Sequence, residues 1–225
     1  MKNTNHTTET TAKPSLIGMF LSPTLQFDRM RERPTIWLPL IIVTVIGVIT
    51  GLLVATGMGD AALEDLGLSG AEAQTAQMFT MLLAGIGSLI FIPVGFLIYS
   101  LILLAIIKIA GSEATFKQLF SLTIFTTFIT TIGQLLNAII NLSLGSDSVY
   151  FVTGLNSLVG AEGALGGFLN TIEVFSIWGY VLIGMGLHKV AQLSKPASII
   201  IAIIFFVLAC IMAAAGGALE GMSQF

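Results

Sequence analysis

Long apolar stretches separated by short polar connections dominate this chain of 225 residues. An α-helix needs roughly 20 apolar residues to cross a hydrocarbon core of about 30 Å. Five stretches meet that requirement, and they cover residues 36–55, 78–109, 120–142, 168–187 and 198–215. We therefore predict an all-α fold, an integral membrane bundle of five transmembrane helices within residues 35–222.

The composition supports an embedded rather than a soluble protein. Hydrophobic residues make up 55% of the chain, charged residues make up 9%, and the mean hydropathy is +0.97. A soluble domain carries about 25% charged residues. A soluble fold with this few charged residues could not cover its surface with them. The apolar surface must therefore face lipid.

The positive charges predict the orientation of the bundle. All nine lysine and arginine residues precede the first stretch, flank the second connection or lie in the fourth. Because such residues accumulate on the cytoplasmic side of membranes, we predict a cytoplasmic N-terminus and an external C-terminus. The cytoplasmic surface would then comprise residues 15–33, 108–117 and 188–197. The first connection carries acidic residues instead, namely Asp60, Glu64, Asp65 and Glu72.

Two kinds of segment precede the first span. Residues 1–14 are rich in threonine and asparagine without apolar periodicity, which predicts a disordered cytoplasmic tail. In residues 15–34, apolar positions recur every three or four residues, which predicts an amphipathic basic helix at the membrane interface. The same basic cluster would equally serve as a topology signal. The candidate contacts with lipid or with a partner are Phe27, Arg29, Arg31 and Arg33.

A polar stripe runs along the third predicted span. Its members step by four and three residues, which puts them on one helix face: Thr123, Thr127, Thr130, Gln134, Asn137 and Asn141. Lipid offers these side chains no hydrogen-bond partner, so the stripe should face protein or a water-filled cavity. We expect Glu173 of the fourth span, with Asn170 one turn away, to join this intramembrane polar network. The network would either hold helices together or form a proton or substrate site.

Small residues spaced by four mark positions of close helix packing. The first span contains Gly47 and Gly51, and the last carries Ala209, Ala213, Gly217 and Gly221. Each set could join helices within one chain or between copies, which leaves a homo-oligomer open. The third connection, residues 143–167, is glycine-rich and still apolar. Its sequence does not decide between an interfacial and a re-entrant course.

No pattern in the sequence is typical of catalysis, cofactor binding or metal binding. Gly57-Met58-Gly59-Asp60 matches the GxGD motif of intramembrane aspartyl proteases, but no predicted span contains the two aspartates that such chemistry needs. His6 and His188 lack metal-ligand spacing, and the single cysteine, Cys210, lies within an apolar run. Motifs of metalloproteases, serine hydrolases and phosphate-binding loops are absent. We expect neither an enzyme nor a nucleic-acid-binding protein.

Two stretches resemble the Yip family of small five-span membrane proteins, which is named for eukaryotic members that bind Rab-type GTPases. In residues 21–34, a Ser-Pro pair, an aromatic residue, a basic run and a proline precede the first span. In residues 177–197, Ile-Trp-Gly-Tyr and two further glycines lead into the last span. Among bacterial members, the chain is most similar to a type that accompanies a four-component ABC exporter in the cytoplasmic membrane. That resemblance implies an accessory or assembly role and exporter subunits as partners.

Two functional hypotheses follow. The first is a non-enzymatic membrane adaptor or assembly factor that binds another membrane complex, for which the resemblance implies an ABC-type export system. The second is a small transporter or channel whose polar path is lined by the third and fourth spans. Both place the protein in the lipid bilayer of a bacterial cell membrane.

Overall fold

A computed structural model describes residues 12–57, 67, 69–144 and 152–222, and this part of the chain is helical throughout its length apart from short connections. Residues 1–11 of the predicted tail and most of the acidic first connection, with the GxGD match, lie outside the described residues. The helices are α1 (Gly18–Leu21), α2 (Pro23–Glu32), α3 (Trp37–Gly57), α4 (Ala71–Ile109), α5 (Phe116–Leu144), α6 (Asn156–Val159), α7 (Gly163–Thr171), α8 (Val174–Lys189) and α9 (Lys195–Met222). The all-α prediction is confirmed.

Four helices, α3, α4, α5 and α9, are long and apolar enough to cross a membrane. The fourth predicted span, residues 168–187, is not a single helix, because α7 ends at Thr171 and α8 begins at Val174. The 16 residues of α8 rise by about 24 Å, which is less than a hydrocarbon core of about 30 Å. The prediction of a continuous fourth span was wrong, and the reason is the local structure at Ile172 and Glu173 described below.

Helix α5 is the central helix of the bundle. The most apolar window of α5 is 67% buried, whereas the corresponding windows of α3, α4 and α9 are 22%, 22% and 11% buried. Helices α3, α4 and α8 all pack against α5. This position explains how a helix with so many hydroxyl and amide side chains is tolerated, because most of its surface meets protein rather than lipid.

Small residues bring the outer helices into close contact. A β-carbon at Gly51 of α3 would lie 3.0 Å from Ser88 Oγ of α4, and one at Gly47 would overlap Ile92. A β-carbon at Gly167 of α7 would lie 2.8 Å from the carbonyl carbon of Ala213 in α9. Both sets of small residues therefore join helices within this chain.

Helices α7 and α8 together accompany α9 along its length, in the antiparallel direction. Gly163, at the start of α7, lies against Gly217 near the end of α9. A β-carbon at Gly184 of α8 would lie 3.3 Å from Ala202 Cβ in the first half of α9. The break at residues 172–173 therefore divides one long companion of α9 into two helices.

Candidate functional site

Glu173 lies in the break between α7 and α8 and caps the second of these helices. Its backbone is extended, with φ −129° and ψ 145°, and its Oε2 accepts a hydrogen bond of 2.7 Å from the backbone N–H of Ser176. The first N–H groups of a helix have no partner within the helix, and lipid supplies none. The side chain is 4% exposed. Glu173 therefore satisfies part of a helix terminus that is enclosed by protein.

The third connection folds back against this break. The backbone N–H of Leu155 donates a hydrogen bond of 2.9 Å to the carbonyl oxygen of Ile172, and Gly154 pairs with Glu173 in an isolated antiparallel bridge. A broken helix exposes backbone groups that need partners when the break is buried. Residues 152–155 supply one of these partners, so part of the connection is built into the helix bundle.

Thr153 links Glu173 to the central helix. Its hydroxyl donates a hydrogen bond of 2.6 Å to Glu173 Oε1 and accepts one of 3.0 Å from Asn137 Nδ2 of α5. The backbone N–H of Thr153 donates to Asn137 Oδ1 at 3.2 Å, and Asn137 Nδ2 also donates to the Gly133 carbonyl oxygen at 2.9 Å. The buried Glu173 and Asn137 thus form one network with the half-buried Thr153, which we call the polar clasp.

Sequence reasoning missed Thr153 and the indirect link that it provides. We expected Glu173 to contact the α5 stripe directly, but Thr153 stands between Glu173 and Asn137. Thr153 lies in a connection without regular periodicity, where no local pattern distinguishes it from its neighbours. Thr153 is separated along the sequence from Asn137 by 16 residues and from Glu173 by 20 residues. Its role therefore depends on how the connection folds back onto the bundle.

The other residues of the predicted polar network do not belong to the polar clasp. Asn170 lies on α7, before the break, and its buried Oδ1 has no hydrogen-bond partner in the described part of the chain. Asn141 is half-buried near the end of α5 and has a partner within the chain. In the first third of α5, the Thr123 hydroxyl instead accepts a buried hydrogen bond of 2.9 Å from Ser100 of α4.

Thr127, Thr130 and Gln134 line a separate cavity of about 290 Å³ between α4, α5 and α8. Tyr99 of α4 and Tyr180 of α8 face them across this space. The cavity is large enough for several water molecules, each of which occupies about 30 Å³ in the liquid. The α5 stripe therefore does not act as one unit, because Thr127, Thr130 and Gln134 line this cavity whereas Asn137 belongs to the polar clasp.

The basic N-terminal segment packs on the bundle with its apolar side. Phe27 and Met30 of α2 have no exposed surface and belong to the hydrophobic core. The prediction that Phe27 contacts lipid or a partner was wrong, because α2 turns this face toward α5 and α8. Arg31 and Arg33 are exposed and Arg29 is half-buried, so the charged side of α2 remains accessible.

Three segments that are distant in sequence meet at the same end of the molecule, which we call the basic end: α2, the α4–α5 connection with the first turn of α5, and the α8–α9 connection with the last turn of α8. Gln118 Nε2 donates a hydrogen bond of 2.7 Å to the Arg31 carbonyl oxygen, and Ser112 Oγ donates one of 2.6 Å to the Ala191 carbonyl oxygen. Lys189 Nζ lies 3.5 Å from Asp28 Oδ1. These contacts join all three segments into one surface.

The basic end contains an open cavity of about 350 Å³ that all three segments line. Arg31 and Glu113 place opposite charges at its wall, and Gln118 and Gln192 add amide groups. Gln192 adopts φ +56°, a left-handed conformation that non-glycine residues rarely adopt. A wall of charges and amides is suited to polar contacts with another macromolecule rather than to an apolar ligand.

Within the residues that the structure describes, no three His, Cys, Asp or Glu side chains come together as a metal site would require.

The comparisons with known proteins identify the family. A family model for the Yip1 domain matches residues 17–216. The chain is 37% identical over 209 residues to "Membrane protein YknW" of Bacillus subtilis (strain 168), covering 91% of this chain and 89% of that protein.

No solved structure matches the chain. The family match includes α2, the long apolar helices and the broken helix pair α7–α8, and the similar protein from Bacillus is itself a membrane protein of nearly the same extent. A multi-pass position in the bacterial cytoplasmic membrane agrees with both. This chain belongs to the Yip1-domain family of multi-pass membrane proteins.

Proposed function

We propose that this protein is a non-enzymatic membrane adaptor or assembly factor that binds another membrane protein complex through its basic end. The observation that carries the proposal is the convergence of α2 and two connections on one polar surface. Contacts between segments far apart in sequence hold this surface together, and attachment to lipid alone would not need them. An ABC-type exporter is the first partner to test, because the bacterial resemblance implies one.

The proposal includes five membrane crossings, with α7 and α8 together as the fourth. The antiparallel course of this pair along α9 supports that count. The lysine and arginine residues of the described part lie in α2, beside it in the N-terminal segment, or next to the two connections of the basic end. The basic end would then face the cytoplasm, and the chain would end on the other side.

Reporter fusions test this orientation. A reporter that is active only outside the cytoplasm should be active when fused after Phe225 and inactive when fused after Gln192. The reversed pattern would contradict a cytoplasmic basic end, and a cytoplasmic location of both sites would contradict the crossing by α9. Fusion after Phe225 of a reporter active only in the cytoplasm provides the matched control, and it should be silent.

Affinity purification from native membranes in mild detergent tests the adaptor proposal. A tagged full-length chain should recover stoichiometric subunits of a membrane complex, with exporter subunits expected first. Recovery of the chain without any other membrane protein, from membranes in which the exporter subunits are present, would contradict the proposal.

A small transporter or channel is the second candidate, and the polar cavity beside Thr127, Thr130 and Gln134 favours it. This cavity lies between membrane-crossing helices, where a polar path would have to run. The polar clasp argues for a structural role nearby, because Glu173 has its two carboxylate oxygens engaged by Thr153 and Ser176. A carrier that used Glu173 for proton coupling should lose transport when Glu173 is replaced by glutamine.

A further inference from the structure

Helices α8 and α9 enclose a long groove on the outer surface of the bundle. The two helices approach closely at Gly184 and Ala202 and leave a space of about 670 Å³ beside this contact. Its walls are almost entirely apolar, with Val181 of α8 and Ile203 of α9 among them. Val181 is 50% exposed and Ile203 is 55% exposed, so the groove is open toward the surrounding lipid.

Two side chains that can carry a charge lie at one end of the groove. His188 and Lys195 line this end, whereas Ile172, Tyr180 and Phe206 line the other parts. From Lys195 to Phe206, α9 rises by about 16 Å, which is about half of a hydrocarbon core of about 30 Å. The groove therefore extends through one leaflet, with the charged end at the membrane surface and the apolar part at acyl-chain depth.

The charge at this end is available to a ligand. Lys195 is exposed, and within the described part of the chain no ion pair involves it, whereas Lys189 nearby pairs with Asp28. The His188 ring is held by its Nδ1, which lies 2.7 Å from the Leu193 carbonyl oxygen. A carbonyl oxygen accepts and does not donate, so Nδ1 carries the hydrogen, and Nε2 of the neutral ring can accept a hydrogen bond from a ligand hydroxyl.

We propose that this groove binds an anionic phospholipid from the leaflet at the basic end. One acyl chain lies along Val181 and Ile203, the phosphate group lies beside Lys195, and a headgroup hydroxyl donates to His188 Nε2. The charge at the groove entrance selects an anionic headgroup over a zwitterionic one, and the apolar walls select a lipid over a soluble phosphate. This site is independent of the proposed adaptor function, because most of the groove lies outside the basic-end surface.

Titration of the purified, delipidated full-length protein with phosphatidylglycerol or phosphatidylcholine, followed by native mass spectrometry, tests the proposal. The wild type should bind phosphatidylglycerol more tightly. Lys195→Gln should weaken that binding about fivefold, since a basic residue at the membrane surface contributes about that factor. Lys117→Gln, which removes an exposed charge of the basic end outside the groove, should leave binding unchanged.

A second pair of variants tests the apolar part of the site. Ile203→Trp should fill the groove and abolish tight binding, whereas Ile204→Trp should not, because Ile204 is 51% exposed but does not line the groove. Equal binding of the two lipids by the wild type, or equal effects of the two tryptophans, would overturn the proposal. The proposal would also be overturned if Ile203→Trp left lipid binding intact but changed the oligomeric state of the protein. That result would assign the groove to a contact with a second copy of the chain.

Discussion

Replacing Gly217 with alanine is expected to destabilise the protein more than any other single methyl addition in the last helix. A β-carbon at Gly217 would overlap the Gly163 carbonyl oxygen and lie 2.9 Å from the Gly163 carbonyl carbon. These are backbone atoms of α7, which cannot turn away as a side chain could. Forced overpacking costs typically 1–3 kcal/mol, and a rigid backbone neighbour favours the upper end, about 3 kcal/mol.

The neighbouring Gly216 provides a matched control on the same helix. A β-carbon at Gly216 meets nothing within 4 Å, so Gly216→Ala should leave stability unchanged or raise it slightly through helix propensity. Unfolding can be followed with a thiol-reactive dye, because the single cysteine, Cys210, is 6% exposed in the folded protein. Equal stability of the two variants would contradict the close antiparallel packing of α7 on α9.

Thr153→Val is expected to cost about 2–3 kcal/mol, although the two side chains have nearly the same volume. The valine removes the hydroxyl that donates to Glu173 Oε1 and accepts from Asn137 Nδ2. Loss of one partner leaves a buried polar group unsatisfied, which costs about 1–3 kcal/mol and more for a charged group. The contact between residues 152–155 and the break between α7 and α8 should also loosen in this variant, because the same residues pair with the backbone of the break.

Thr130→Val is the control for the loss of a hydroxyl group on the central helix. The Thr130 hydroxyl donates to the Thr127 carbonyl oxygen at 2.9 Å, within its own helix, and links no other element. This variant should change stability by well under 1 kcal/mol, as for a locally bonded hydroxyl. If thermal unfolding of detergent-solubilised protein showed equal losses for both valine variants, the polar clasp would not be a stabilising unit.

The sequence predicted the long helices well because membrane-crossing helices are specified locally. A sufficiently long apolar stretch is unfavourable in water, so it specifies a membrane-crossing helix without contacts from the rest of the chain. Helices α3, α4, α5 and α9 each fall on such a stretch. The small-residue steps at Gly47 and Gly217 likewise indicated close packing. Their partners remained open, because the spacing of one helix does not identify the helix that it contacts.

The break in the fourth span could not be predicted from local pattern. Neither proline nor glycine occupies residues 171–173, and Ile172 would be compatible with a continuous apolar helix. The break is stabilised instead by Leu155 and Thr153, which contact Ile172 and Glu173 from a different part of the chain. Contacts of this kind have no signature in a single sequence.

Amphipathic periodicity correctly indicated that residues 15–34 contain helix, but it did not indicate what the apolar face contacts. An apolar face can meet lipid or the protein's own core with the same hydrophobic gain. The structure assigns Phe27 to the core, and this packing brings Arg31 next to the first turn of α5. The basic end therefore results from burial of the opposite face of α2.

Partner capture with two variants tests the adaptor account most directly. Arg31→Gln combined with Arg33→Gln changes exposed side chains and preserves the backbone contact between Arg31 and Gln118, whereas Glu173→Gln alters the polar clasp far from the basic end. In purification from native membranes, the arginine variant should lose the co-purified complex while Glu173→Gln retains it, with both proteins present in equal amounts in the membrane. Retention of the complex by the arginine variant and its loss with Glu173→Gln would contradict the account.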